Sequence, residues 1–167
     1  WAQPVALANT VLDAAAHRPA DYRYTSLTLV AHSLGSVVAR QAMVNGLWNT
    51  PADEWTRHAR LVLFAPAHKG AKVQALAMEC LSGLGWIGSV FGALAKQRFQ
   101  TLNDLEPGSA TLQQLEQRVL ALEARGVVSA RANRVVWAEK DTVVNQLDFG
   151  SDPPAELVRG KGHVDVC

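Results

Sequence analysis

The stretch "LTLVAHSLGSVVARQAM", Leu27 to Met43, constrains the fold of this chain more than any other. A short apolar strand, Leu27 to Val30, runs without a linker through Ala31, His32, Ser33, Leu34 and Gly35 into a pattern of helical period. An apolar strand this short is of the kind buried on both faces of a parallel sheet. The turn that follows must be sharp, and the small residues two positions either side of Ser33, Ala31 and Gly35, allow the bend. Such a turn points its central side chain above the carboxyl end of the sheet. It also aims the N-terminus of the next helix, and the backbone N–H of Leu34, at the place where an oxyanion would form beside Ser33. A serine at this position is set up as a nucleophile; its bland role is to cap the helix.

The remaining periodicities extend the same theme. Trp1 to Ala16 has Val5, Ala8, Leu12 and Ala15 at helical spacing, closed by the His-Arg-Pro that ends at Pro19. The helix that opens at Leu34 is expected to run to Asn45 and stop at Gly46. "RLVLFA" (Arg60 to Ala65) reads as a second buried strand ended by Pro66, "RVVWA" (Arg134 to Ala138) as a third, and Ala155 to Arg159 as a weaker fourth. Strands alternating with helices predict an α/β domain with a largely parallel sheet, and no linker or repeat divides residues 1–167. Within it, residues 79–126 read as a lid or cap insertion. Trp86, Ile87, Val90, Phe91 and Leu94 would share one helical face there. That stripe is either ordinary core or the cover of an acyl-binding groove, with neighbouring glycines to permit movement. After "LEPGS", Leu112, Leu115, Val119 and Leu122 line an amphipathic helix that Gly126 can terminate and Ser109 can cap.

Sixteen basic residues against fifteen acidic ones give a net charge of +1, which supplies no electrostatic reason to bind nucleic acid or an anionic membrane. Small neutral or apolar partners fit better. Two cysteines, Cys80 and Cys167, are too few for a disulfide framework or a zinc site; they read as reduced structural thiols, which leans the compartment towards the cytoplasm. The longest apolar stretch, Leu81 to Ala95, is shorter than the roughly 20 residues a membrane span needs and is broken by glycine and serine, so no transmembrane segment is expected. The chain begins at Trp1 with no leader pattern and is expected to be a piece of a longer polypeptide.

A serine hydroxyl attacks only if a base takes its proton, and the base needs an acid to hold its tautomer and stabilise the imidazolium. Asp141, in "AEKDTVV", follows the third strand, and His163, in "GKGHVDV", follows the fourth. Both fall at carboxyl strand ends, in the chain order Ser, Asp, His. Rivals exist for both. Among histidines, His32 reads as a packing or hydrogen-bonding neighbour, His68 as a loop residue that could line the pocket, and His17 and His58 as solvated. Among acids, Asp148 is the reserve for Asp141, with Asp152 and Asp165 less well placed.

The pieces "VAHSLGS", "LFAPAHKGA", "LNDLEPGSATLQQL", "VVWAEKDTVV" and "GKGHVDVC", spread from Leu27 to the end, together resemble the α/β-hydrolase superfamily, and within it the serine esterases and lipases. The resemblance implies an acyl-enzyme on Ser33, with Asp141 as acid, His163 as base, the Leu34 N–H as an oxyanion donor and the lid over the acyl site. It implies a small-molecule or lipid ester as substrate, a transient contact with a lipid surface, and neither metal nor cofactor. Two departures stand out. Alanine replaces the first glycine of G-x-S-x-G, and the early strands, with the loop that gives the second oxyanion donor, have no counterpart after Trp1. The chain is therefore expected to hold the C-terminal part of the fold. The same triad also serves acyl transfer to an acceptor other than water and cleavage of amides or thioesters. A non-catalytic binding module on the hydrolase fold is the reading from another class.

Overall fold

The computed structural model describes residues 4–17, 25–49, 51–72 and 104–167. Helix α1 (Pro4–Ala16) precedes strand β1 (Leu27–His32) and helix α2 (Leu34–Trp48). A short 3₁₀ helix (Glu54–Arg57) then leads into strand β2 (Ala59–Phe64). Helix α3 (Ala110–Ala124), strand β3 (Arg134–Ala138) and strand β4 (Glu156–Val158) follow. The four strands form one sheet in the order β1-β2-β3-β4, every neighbouring pair parallel. Parallel neighbours need crossovers, and α2 and α3 lie in the β1–β2 and β2–β3 connections. The register aligns His32 with Phe64 and Phe64 with Val136, so the carboxyl ends of the first three strands open on one edge of the sheet.

The expected α/β architecture holds, with corrections to single elements. Strand β1 is not buried on both faces. Leu27, Leu29 and Ala31 pack with Leu61, Leu63, Val135, Met43 and Trp55, while Thr28 and Val30 on the opposite face are exposed, Val30 by 65%. Helix α2 does not stop at Gly46 but continues to Trp48. A Cβ at Gly46 would stand 2.7 Å from Thr56 Cγ2 and 3.2 Å from Asp53 Oδ2. The glycine thus lets the 3₁₀ segment lie against the helix, with Asp53 N–H donating to the Gly46 carbonyl at 3.0 Å. The chain leaves the helix only at Asn49, which is extended at φ −62°, ψ 154°. In α1 the buried stripe is Pro4, Ala8 and Ala15, so Val5 falls at its edge and is exposed.

Helix α3 carries its boundaries in its sequence. The Ser109 hydroxyl accepts from the Leu112 N–H. At the other end Gly126, at φ 78°, donates to Glu123, and Val127 donates back to Leu122, the pair of bonds that closes a Schellman end. Leu112, Leu115, Val119 and Leu122 are all buried, as their spacing predicts, against Val37 and Val44 of α2 and Val136 and Ala138 of β3. At about 1.5–3 kcal/mol for each large apolar side chain, this burial fixes the crossover on the sheet. Trp86, Ile87, Val90, Phe91 and Leu94, with the rest of residues 73–103, lie outside the described residues.

Candidate active site

Ser33 links β1 to α2 with φ 51° and ψ −124°. A side chain in that region costs on the order of 1–3 kcal/mol and persists only where its surroundings impose it. They do: the Ser33 N–H donates to the Phe64 carbonyl at 3.0 Å, the Ser33 carbonyl accepts from Ser36 at 3.0 Å, and the Ser36 hydroxyl donates to the Ala31 carbonyl at 3.2 Å. The strained turn is thus clamped to both β2 and α2. The Ser33 hydroxyl makes no capping bond to α2, which removes the bland role for this serine. A Cβ on Gly35 would meet nothing within 4 Å among the described residues.

The hydroxyl points instead at His163. Ser33 Oγ lies 2.9 Å from His163 Nε2, and His163 Nδ1 lies 2.9 Å from Asp141 Oδ2. All three groups are buried: Ser33 is 6% exposed, His163 2%, and the Asp141 side chain 0%. A carboxylate only accepts, so the proton sits on Nδ1, and Nε2 is left to accept from the serine O–H. The other Asp141 oxygen, Oδ1, accepts from the N–H groups of Val143 (2.8 Å) and Val144 (3.2 Å), which orients the carboxylate. Asp141 sits just beyond β3 and His163 just beyond β4, so three strand ends converge on one point. Leu34 is the first residue of α2, where an N–H has no acceptor within its own helix, and it adjoins Ser33. Such an arrangement can pass the Ser33 proton to His163 Nε2 while Asp141 stabilises the imidazolium.

The rival residues are occupied elsewhere. Asp152 accepts two hydrogen bonds from the Arg40 guanidinium and a third from the Ala132 N–H at 2.8 Å. Asp148 and Asp165 are exposed, as are His17 and His58. His68 is buried and does not join the hydrogen-bond chain; its Nε2 accepts from Arg40 Nε at 3.2 Å, and its ring stacks on Phe149 with centroids 4.7 Å apart. Burial first, and then the Arg40 charge, hold its pKa well below 6.5. With Nε2 accepting, its proton is on Nδ1. Sequence reasoning missed this Arg40–His68–Asp152 network. Its signal was a lone arginine inside the apolar run "VVARQAM", on a helix whose neighbouring residues are all buried. Sequence reasoning did anticipate that His32 would pack beside the turn: its Nε2 lies 2.7 Å from the His163 carbonyl oxygen.

Among the described residues no three His, Cys, Asp or Glu side chains gather as a metal ion would require, and no helix is long and apolar enough to cross a membrane. No protein-family model and no curated protein sequence matches this chain. Among solved structures, the phospholipase PlaB from Legionella pneumophila in complex with thio-NAD aligns with 83% of this chain at a TM-score of 0.50 and 22% identity. Another structure of the Legionella pneumophila phospholipase PlaB aligns with 81% of it at a TM-score of 0.40 and 24% identity. The chain spans 27% of the first of those structures and 26% of the second. The first likeness is one of fold.

Proposed function

We propose that this chain carries the nucleophile, base and acid of an α/β-hydrolase domain and cleaves a carboxylic ester through an acyl-enzyme on Ser33. The observation that supports this most strongly is the buried hydrogen-bond chain from Ser33 Oγ through His163 to Asp141, held on three strand ends. In the first half-reaction Ser33 Oγ bonds to the ester carbonyl carbon as its proton passes to His163 Nε2. The tetrahedral oxyanion takes a hydrogen bond from the Leu34 N–H, a contact of a kind worth about 10²–10³ in rate. The carbon–alkoxide bond then breaks, and the imidazolium returns the proton to the departing alcohol. Water repeats the sequence on the acyl-enzyme: it loses a proton to His163, releases the acid and restores the serine. Asp141 keeps the imidazole in the required tautomer throughout. Ser33 thus stands at the centre of a nucleophile elbow, and α3, which lies within the expected lid of residues 79–126, belongs to the core and not to a lid.

The fold shared with a phospholipase makes a lipid ester the first substrate to test, beside small soluble esters. The experiment is a panel of p-nitrophenyl esters of increasing chain length together with phosphatidylcholine vesicles, assayed on the wild type and on Ser33→Ala. Hydrolysis that falls by about 10⁶-fold in a variant of unchanged circular dichroism supports the reading. Hydrolysis that survives in the variant contradicts it, as does its absence from every ester in the wild type.

A further inference from the structure

The hydrogen-bond chain does not explain why the last residue of β1 reaches across to the loop that carries the base. His32 Nε2 lies 2.7 Å from the carbonyl oxygen of His163, and the two rings stand 4.8 Å apart at 45°. A carbonyl oxygen can only accept, so His32 Nε2 carries a proton and donates it. Among the described residues no other group hydrogen-bonds that carbonyl. The loop around it needs a tether. Gly160, at φ 72°, and Gly162 precede His163, the next residue, Val164, is 59% exposed, and no strand or helix covers residues 159–167. Its other anchors lie to either side: Lys140 N–H to the Lys161 carbonyl at 2.9 Å, Gly160 N–H to Glu139 at 2.7 Å, and Val166 in the core.

We infer that His32 is a positioning residue for the proposed hydrolysis: it pins the backbone of His163 so that the imidazole Nε2 stays in line with Ser33 Oγ. The inference rests on the esterase reading given above. His32 and Ser33 are consecutive, so the group that attacks and the group that tethers its base stand on the same strand end. The distance between nucleophile and base is then set by two adjacent residues, not by two loops that move independently. Asp141 governs the orientation and tautomer of the ring; His32 governs where the backbone bearing the ring sits. Neither touches the reacting atoms, so both leave them free.

Three variants separate the donor from the ring. His32→Gln keeps an N–H near the Nε2 position, His32→Phe keeps a ring without a donor, and His32→Ala keeps neither. The readouts are kcat and KM on a soluble p-nitrophenyl ester, the thermal midpoint, and the low-field proton resonance of His163 Nδ1–H. His32→Gln is expected to keep most of the rate and the resonance. His32→Phe and His32→Ala are expected to lose kcat by roughly 10- to 100-fold, with KM within about twofold, an unchanged midpoint and faster exchange of the His163 proton. A rate and resonance kept by His32→Phe and lost by His32→Gln would show that ring packing matters and overturn the inference. Equal rates and resonances in all four proteins would overturn it too. A wild type that shows the resonance but hydrolyses no ester sinks the esterase reading alone, and the resonances of the variants then decide whether His32 holds the base.

Discussion

Asp141 uses its two oxygens for different tasks, one accepting from the turn N–H groups of Val143 and Val144 and the other from His163 Nδ1. Asparagine can keep the first set through its amide oxygen, but it then presents an N–H to Nδ1 and forces the proton onto Nε2, where it blocks acceptance from Ser33. Asp141→Asn is therefore expected to lower kcat by about 10⁴-fold while the thermal midpoint moves little. Steady-state kinetics beside calorimetry checks this, and an unchanged rate would remove Asp141 from the mechanism. At this scale the candidate triad was legible because each member follows a recognisable strand, and the carboxyl ends of a parallel sheet lie on one edge, from which the loops can bring their side chains together. The role of His32 beside the turn was legible as packing or hydrogen bonding, but its partner, the His163 carbonyl, was not. The tether joins residues 131 positions apart, and nothing in a one-dimensional pattern gives the direction of a side chain at a turn with positive φ.

Gly46 shows how an element can be misread from a residue that is correctly noticed. Glycine ends helices where the backbone must turn left-handed, but Gly46 stays helical, and what it provides is room for Thr56, Asp53 and Trp55. Gly46→Ala should therefore destabilise the protein by about 1–3 kcal/mol, against the gain that alanine's helix propensity would give on an open surface. Urea unfolding measures it, and a variant as stable as the wild type would mean that the 3₁₀ segment does not press on α2. The ends of α3 were readable because Ser109 and Gly126 act on neighbours within one turn. The ends of β1, β2 and β4 shift by one or two residues from the sequence reading, since pairing with the adjacent strand sets them.

Across the whole molecule, Arg40 binds the parts together: with no exposed surface, it links α2 to Asp152, the Ala130 carbonyl and His68. The fold holds His68 neutral, with a pKa well below 6.5, whereas the unfolded chain protonates it below that value. The resulting stability is present above pH 6.5 and is lost as the pH falls below it towards the lowered pKa of the folded state. Urea midpoints at about pH 7.5 and about pH 5 should show a larger loss for the wild type than for His68→Gln, whose amide oxygen can still accept from Arg40 but does not titrate. Equal losses would show that His68 does not contribute to the acid sensitivity. The central claim is that three strand ends activate one serine, and labelling with a fluorophosphonate, followed by mass mapping, tests it most directly. The account predicts modification at Ser33, absent from Ser33→Ala and strongly slowed in Asp141→Asn; a folded wild-type protein that takes no label, or takes it elsewhere, would contradict it.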